Sequence, residues 1–143
     1  VIILGTSVIS EPLRPEPAAG VVAWLDAQAV ETLYLTTISL AEVRYGIACL
    51  PDGRRRQRLH DRFEGEFVPL FQERTLTFDE PATTAYAALR AQARARGLAI
   101  GDFDALIASI ARATGFTVAT RDTAPFEAAG VTVINPFNAA AEL

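Results

Sequence analysis

Val1-Ile2-Ile3-Leu4-Gly5-Thr6-Ser7-Val8-Ile9-Ser10-Glu11 opens on four apolar residues, breaks at a small polar triplet and resumes with an apolar pair. The apolar run predicts a short buried strand, and the pair after the break predicts the start of a helix. A strand-to-helix turn of this kind lies at the carboxyl end of a strand, where open α/β sheets place their ligands.

The rest of the chain repeats the alternation. Glu11 to Pro17 is a proline-broken connection, and Ala18 to Ala29 reads as a helix with Val21, Val22, Trp24 and Leu25 on its apolar face. Leu33 to Thr37 favours a strand. Ser39 with Glu42 three residues on has the capping-box pattern, and Leu40, Val43, Ile47 and Leu50 continue at helical spacing. Pro51-Asp52-Gly53 interrupts. A helix from about Arg54 to Phe71 follows, with Leu59, Phe63, Phe67 and Leu70 as its stripe. Its first half carries Arg54, Arg55, Arg56, Arg58 and Arg62. These two helices are expected to form an antiparallel hairpin.

Arg74 to Phe78 reads as a third strand. A helix starts at Asp79-Glu80-Pro81, runs to Arg96 and stops at Gly97. Another runs from Asp102 to about Thr114, with Phe103, Leu106, Ile107 and Ile110 facing the core and Gly115 closing it. Thr117 to Thr120 is a fourth strand, Arg121 to Ala129 holds a loop and a short helix, and Val131 to Ile134 is the last strand. Strands alternating with helices predict an α/β domain with a mostly parallel sheet of five strands. Right-handed crossovers then gather every strand-to-helix junction on one edge.

The 143 residues suit one domain, 1–143, and half of them are hydrophobic. No apolar run reaches the roughly 20 residues of a membrane span. No signal-peptide pattern is evident, and the single cysteine, Cys49, fits a reducing compartment, so a cytoplasmic protein is expected. The formal net charge of −4 argues against a protein that coats nucleic acid by bulk charge. It leaves room for an enzyme that acts on nucleic acid at one acidic pocket. All 13 basic side chains are arginine.

The shared edge collects Gly5, Thr6 and Ser7 after the first strand, Glu42 one turn into the helix after the second, Asp102 and Asp104 before the fourth, and Thr120-Arg121-Asp122 at its end. Each acid has a plainer local role. Glu42 closes a capping box, Asp102 caps its helix, Asp104 suits the helix dipole, and Asp122 sits in a turn. Jointly, Glu42, Asp104 and Asp122 in one cleft repel one another unless a hard cation lies between them, and Mg²⁺ or Mn²⁺ suits oxygen ligands. Such a site fits phosphodiester hydrolysis. There is no Cys/His cluster for zinc, no P-loop and no dinucleotide glycine pattern. His60 reads as a surface residue.

Several stretches in order resemble one family: Val8-Ile9-Ser10-Glu11-Pro12-Leu13-Arg14-Pro15, Val22-Ala23-Trp24-Leu25-Asp26, Leu40-Ala41-Glu42-Val43-Arg44-Tyr45-Gly46, Asp104-Ala105-Leu106-Ile107-Ala108, Thr117-Val118-Ala119-Thr120-Arg121-Asp122-Thr123 and Val131-Thr132-Val133-Ile134-Asn135-Pro136-Phe137. The sequence is similar to PIN-domain ribonuclease toxins of the VapC type, most closely the FitB-like branch. The resemblance implies a PIN fold and an Mg²⁺- or Mn²⁺-dependent endoribonuclease, the toxin half of a toxin–antitoxin pair. Family acids carry over onto Asp104 as a principal metal ligand, Glu42 as ligand or water-orienting base, and Asp122 as a support for the metal. Thr6 and Thr120 would line the cleft and contact substrate. The implied partners are RNA, a cognate antitoxin that covers the cleft, operator DNA through that antitoxin, and a second copy in a homodimer.

The end of the first strand departs from the family. Its first strand normally ends Asp-Thr-Asn, and that aspartate ligates metal; here the place reads Gly5-Thr6-Ser7. Weak metal binding and impaired cleavage are expected. The alternatives are a non-catalytic member that binds antitoxin in operator autoregulation, and a small-ligand or phosphoryl-accepting α/β module. The last normally needs a lysine that this chain lacks.

Overall fold

The structure, a computed structural model, describes residues 1–139. Of the span 1–143 expected as one domain, the last four residues therefore lie outside the described residues.

Five parallel strands form one sheet. They are β1 (Ile2–Leu4), β2 (Leu33–Thr36), β3 (Thr75–Leu76), β4 (Thr117–Ala119) and β5 (Val133–Ile134), in the order β3-β2-β1-β4-β5. The expected α/β class and parallel five-stranded sheet are what the chain forms. The edge strands are shorter than the sequence predicts, by three residues in β3 and two in β5.

β1 is central because it is apolar on both sides. Successive side chains of a strand point to opposite faces. Ile3 therefore enters one core with Val118, Leu89, Ile107, Ile110 and Phe126, while Leu4 enters the other with Val8, Leu35, Val43, Phe63 and Phe71. A parallel sheet covered on both faces needs this near-continuous apolarity. The order also reverses at β1: the chain moves from β1 to β2 and β3 on one side, then to β4 and β5 on the other. The carboxyl ends of β1 and β4 thus flank a topological switch point.

The helices are α1 (Thr6–Ser10), α2 (Ala19–Ala27), α3 (Thr37–Ala48), α4 (Arg54–Arg62), α5 (Glu80–Ala95), α6 (Asp102–Thr114), α7 (Ala124–Ala128) and α8 (Pro136–Ala139). Helices α5 and α6 end at glycines in the left-handed region, Gly97 at φ 68° and Gly115 at φ 76°. Both are the stops that the sequence predicts.

Four local expectations fail. Ser39 does not cap α3. Thr36 does, its side chain accepting the Ser39 N–H at 3.1 Å, so the helix begins two residues before Ser39 and no capping box forms with Glu42. Asp102 is not the cap of α6 either: Gly101 holds that position, and Asp102 is the first helical residue, paired with Arg90 at 3.0 Å and pointing outward. Phe103 is 58% exposed, and the small Ala105 and Ala108 take the buried places beside Ile107.

The long helix expected from Arg54 to Phe71 is α4 followed by a π turn over Phe63–Phe67 and a 3₁₀ turn over Val68–Phe71. Pro69 has no N–H and cannot continue an α-helix. The backbone widens ahead of it, with the Val68 N–H bonding the Phe63 carbonyl five residues back. The wider turn stacks Phe63 on Phe67 at 5.5 Å and brings Phe67 to Phe71 at 4.9 Å. The phase shift buries Phe71 and leaves Leu70 53% exposed, the reverse of the expected stripe. Helices α3 and α4 do touch, and Arg44 of α3 forks Glu64 in the π turn after α4 at 2.7 and 3.0 Å.

Candidate active site

The first junction is built on a close approach. The Gly5 N–H donates to the Ala119 carbonyl at 2.8 Å, tying the end of β1 to β4. A Cβ on Gly5 would stand 2.9 Å from that same carbonyl oxygen and 3.3 Å from the Thr120 Cβ. Gly5 has φ −74° and ψ 164°, open to any residue, so space and not backbone conformation restricts it.

Thr6 follows and faces α3. Its hydroxyl lies 2.8 Å from Glu42 Oε1 and 3.2 Å from Ser39 Oγ. Its single proton goes to Glu42 Oε1. Ser39 is fully buried and also lies 3.4 Å from the Thr36 hydroxyl. Its spacing to Glu42 suggests a cap and hides this role. Ser39 supports Thr6 and, through it, Glu42.

Asp104 sits in the first turn of α6, half-buried. Its carboxyl is held above the usual range, first by desolvation and then by the like charges of Glu42 and Asp122. Asp104 on α6 thus lies within electrostatic reach of Glu42 on α3 and of Asp122 after β4. Among the described residues neither Asp104 nor Asp122 accepts a hydrogen bond. Thr120 is buried beside Gly5, with its N–H on the Ile134 carbonyl at 2.9 Å.

Glu11 is the other residue that sequence reasoning misses. It is 4% exposed, accepts the Ala18 N–H at 3.0 Å, and meets Arg14 at 3.4 Å and Arg121 at 3.5 Å. Arg121 also lies 3.9 Å over the Phe137 ring, and its N–H donates to Ser7 Oγ at 3.0 Å. Ser7 and Glu11 together pin the segment that carries Asp122. Arg14 and Ala18 lie on the same connection as Glu11, but Arg121 comes from more than a hundred residues on, and that contact leaves no local pattern.

The donors suit a hard divalent cation in kind, being all oxygen. A cation would also relieve the repulsion that raises Asp104. They fall short in number. Among the described residues, no three His, Cys, Asp or Glu side chains stand close enough to hold one ion in common. Gly5, the residue after the first strand, adds no carboxylate.

Among known proteins, a PIN-domain family model matches residues 2–131. Plasmid stability protein StbB of Pseudomonas syringae pv. tomato is 58% identical, over 96% of this chain and 99% of its own. VapC ribonuclease Y4jK of Sinorhizobium fredii is 52% identical, over 97% and 99%. The crystal structure of FitAcB from Neisseria gonorrhoeae holds a chain 48% identical, covering 96% of this one and 99% of itself, with a TM-score of 0.93; a structure of FitAB bound to an IR36 DNA fragment matches with the same identity and score, over 96% of each chain. On the shared fold and these near full-length matches, the chain belongs to the PIN-domain family, in its VapC- and FitB-like toxin branch.

Proposed function

We propose that this chain is a divalent-metal-dependent endoribonuclease by lineage, with cleavage impaired in the present sequence by Gly5. The observation that carries this reading is the half-buried Asp104, burdened by Glu42 and Asp122 at the switch point of a parallel sheet. A protein keeps such a costly set of like charges where a cation or a reacting group uses it. The ribonuclease relative at 52% identity supports the reaction class.

In this reading Asp104 would hold Mg²⁺ or Mn²⁺, Glu42 would be a ligand or the water-orienting base, and Asp122 would support the metal. A bound divalent ion supplies a polarised phosphate oxygen and a more acidic water. The chain's own residues supply placement. Thr6 fixes Glu42 by its Oε1, so Oε2 is the oxygen that orients or takes a proton from water. Thr120 contacts the phosphate as a hydroxyl donor, and Thr6, its proton committed to Glu42, lines the cleft beside the substrate. Ser7 and Glu11 hold the Arg121–Asp122 segment in register.

The partners follow the relatives. A cognate antitoxin covers the cleft, operator DNA is engaged through that antitoxin, and the chain forms a homodimer. The FitAB–DNA structure supports a DNA-bound complex for a close relative. A second reading is a non-catalytic PIN protein whose work is antitoxin binding in operator autoregulation. It is favoured by one observation, the lack of a three-carboxylate cluster among the described residues. Metal-dependent cleavage of RNA by this chain and by Gly5→Asp separates the two.

A further inference from the structure

Helix α4 departs from the chain's other well-started helices. α5 opens behind a capping Asp79 with Glu80 in its first turn, and α6 opens with Asp102 and Asp104. α4 opens with Arg54, Arg55 and Arg56, has no acid in its first turn and no side-chain cap at Gly53. The amino end of a helix is already partly positive, so cations there cost stability. A local rule broken without a compensating contact inside the fold points to a use outside it.

Arg56 is spoken for by Asp52. Among the described residues, Arg55, Arg58 and Arg62 have no ion-pair partner. Glu64 is taken by Arg44, and Asp61 by Gln57 and His60. Glu66 lines the neighbouring hollow with Arg62 but makes no ion pair with it. Spaced by three and four residues, Arg55, Arg58 and Arg62 share one helix face and span about 10 Å along the axis. Arg14 faces them across an open groove of ≈ 400 Å³ with Leu13 and Leu59 between. Arg14 is 59% exposed, and its one carboxylate partner, Glu11, is buried and shared with Arg121. Arg121 is the residue before Asp122. Arg121 and Arg14 both meet the buried Glu11, and Arg14 lines the groove with Arg55, Arg58 and Arg62, so these arginines link the acidic edge to the exposed face of α4.

We propose that this groove is a track for the phosphates of an RNA strand whose scissile bond lies at the acidic edge. The proposal rests on the ribonuclease reading above and adds where the strand runs. Guanidinium forks match phosphate geometry. No aromatic ring lines this groove, so it offers no stacking platform, and it grips backbone and not bases. The grip is therefore independent of RNA sequence, and on a chain of net charge −4 RNA affinity depends on a local cluster of arginines such as this one.

The test is fluorescence anisotropy of a labelled single-stranded RNA on the full chain, in EDTA so that nothing is cleaved, from about 50 to 200 mM salt. Arg55→Gln/Arg58→Gln/Arg62→Gln is compared with Arg94→Gln/Arg96→Gln/Arg112→Gln on the other side of the sheet. Removing three arginines that each neutralise a phosphate of a single strand flattens the log affinity–log salt slope by about 2 and weakens binding by about tenfold or more. The control triple leaves both unchanged. Arg55→Gln/Arg58→Gln, which spares Arg62 and its packing beside Phe67, flattens the slope by about 1.4 and keeps the parent's thermal midpoint or raises it. The track is overturned if the parent does not bind RNA, if the α4 variants bind like the parent, or if the control loses as much as they do. It is equally overturned if RNA binding is untouched while association with the co-expressed antitoxin disappears, which assigns the groove to a protein. Because binding is read without cleavage, the two readings fail separately. An RNA-binding chain whose Gly5→Asp form never cleaves loses the nuclease reading and keeps the track; a cleaving Gly5→Asp chain with insensitive binding does the opposite.

Discussion

Replacing Gly5 tests how the first junction is packed. An alanine Cβ would stand 2.9 Å from the Ala119 carbonyl oxygen, and that oxygen is already committed to the Gly5 N–H at 2.8 Å. The obstacle is backbone in the middle of a sheet, so β1 and β4 must part by a few tenths of an ångström. Overpacking of this kind costs about 1–3 kcal/mol. Against it, losing a glycine restricts the unfolded chain and returns about 0.4–1 kcal/mol, because φ −74° suits alanine. The net expectation for Gly5→Ala is a loss of about 1 kcal/mol, or about 3 °C in thermal midpoint for a domain of this size. Gly5→Asp in EDTA falls further, since its carboxylate joins Glu42, Asp104 and Asp122. In Mg²⁺ at about 100 times the dissociation constant, a completed site gains about 2.7 kcal/mol, so the Asp variant alone recovers by about 8 °C. Circular dichroism melts of parent, Ala and Asp forms, with and without Mg²⁺, give every comparison. An alanine form more stable than the parent by about 0.4–1 kcal/mol, the entropy effect alone, refutes the close approach. An Asp form indifferent to Mg²⁺ refutes the idea that Gly5 marks the missing ligand.

Two other perturbations follow from the same geometry. Asp104 has a folded pKa above its unfolded value, so the native state binds its proton more readily; its cost is full above the raised pKa and disappears as pH falls to about 4. In EDTA, Asp104→Asn therefore melts higher than the parent at pH 7, and the gap closes in acid; an Asn form that melts lower at pH 7 contradicts this. Glu11→Ala removes a buried carboxylate from the Ala18 N–H, Arg14 and Arg121. The expected loss is about 2–3 kcal/mol by urea denaturation, and a change under about 0.5 kcal/mol means that Glu11 does not hold the segment.

The parallel sheet was legible because short β-favouring segments alternate with helical connections. Periodicity carries that much without any tertiary information. Helix boundaries were less legible. Thr36, Thr37 and Ser39 all offer a capping hydroxyl, and only the end of the β2 pairing decides in favour of Thr36. Once Ser39 is not the cap, the local role expected of Glu42 falls away and its bond to Thr6 remains. Pro69 is visible in the sequence, but the π turn that accommodates it depends on the stacking of Phe63, Phe67 and Phe71. Phe103 follows helical spacing and still faces out, since Ala105 and Ala108 pack closer to the sheet than a ring can. At Gly5 the resemblance predicts a missing carboxylate, whereas the tight contact with Ala119 arises between strands over a hundred residues apart and leaves no local trace.

The central claim is that these acids form a nuclease site lacking one carboxylate. It is tested most directly by incubating RNA with the chain, with Gly5→Asp and with Gly5→Asp/Asp104→Asn, each in Mg²⁺, Mn²⁺ and EDTA. The account predicts little cleavage by the chain, metal-dependent cleavage by Gly5→Asp, and its loss in the double variant. Strong cleavage by the Gly5 chain, or a folded Gly5→Asp protein that leaves RNA intact in both metals, would contradict it.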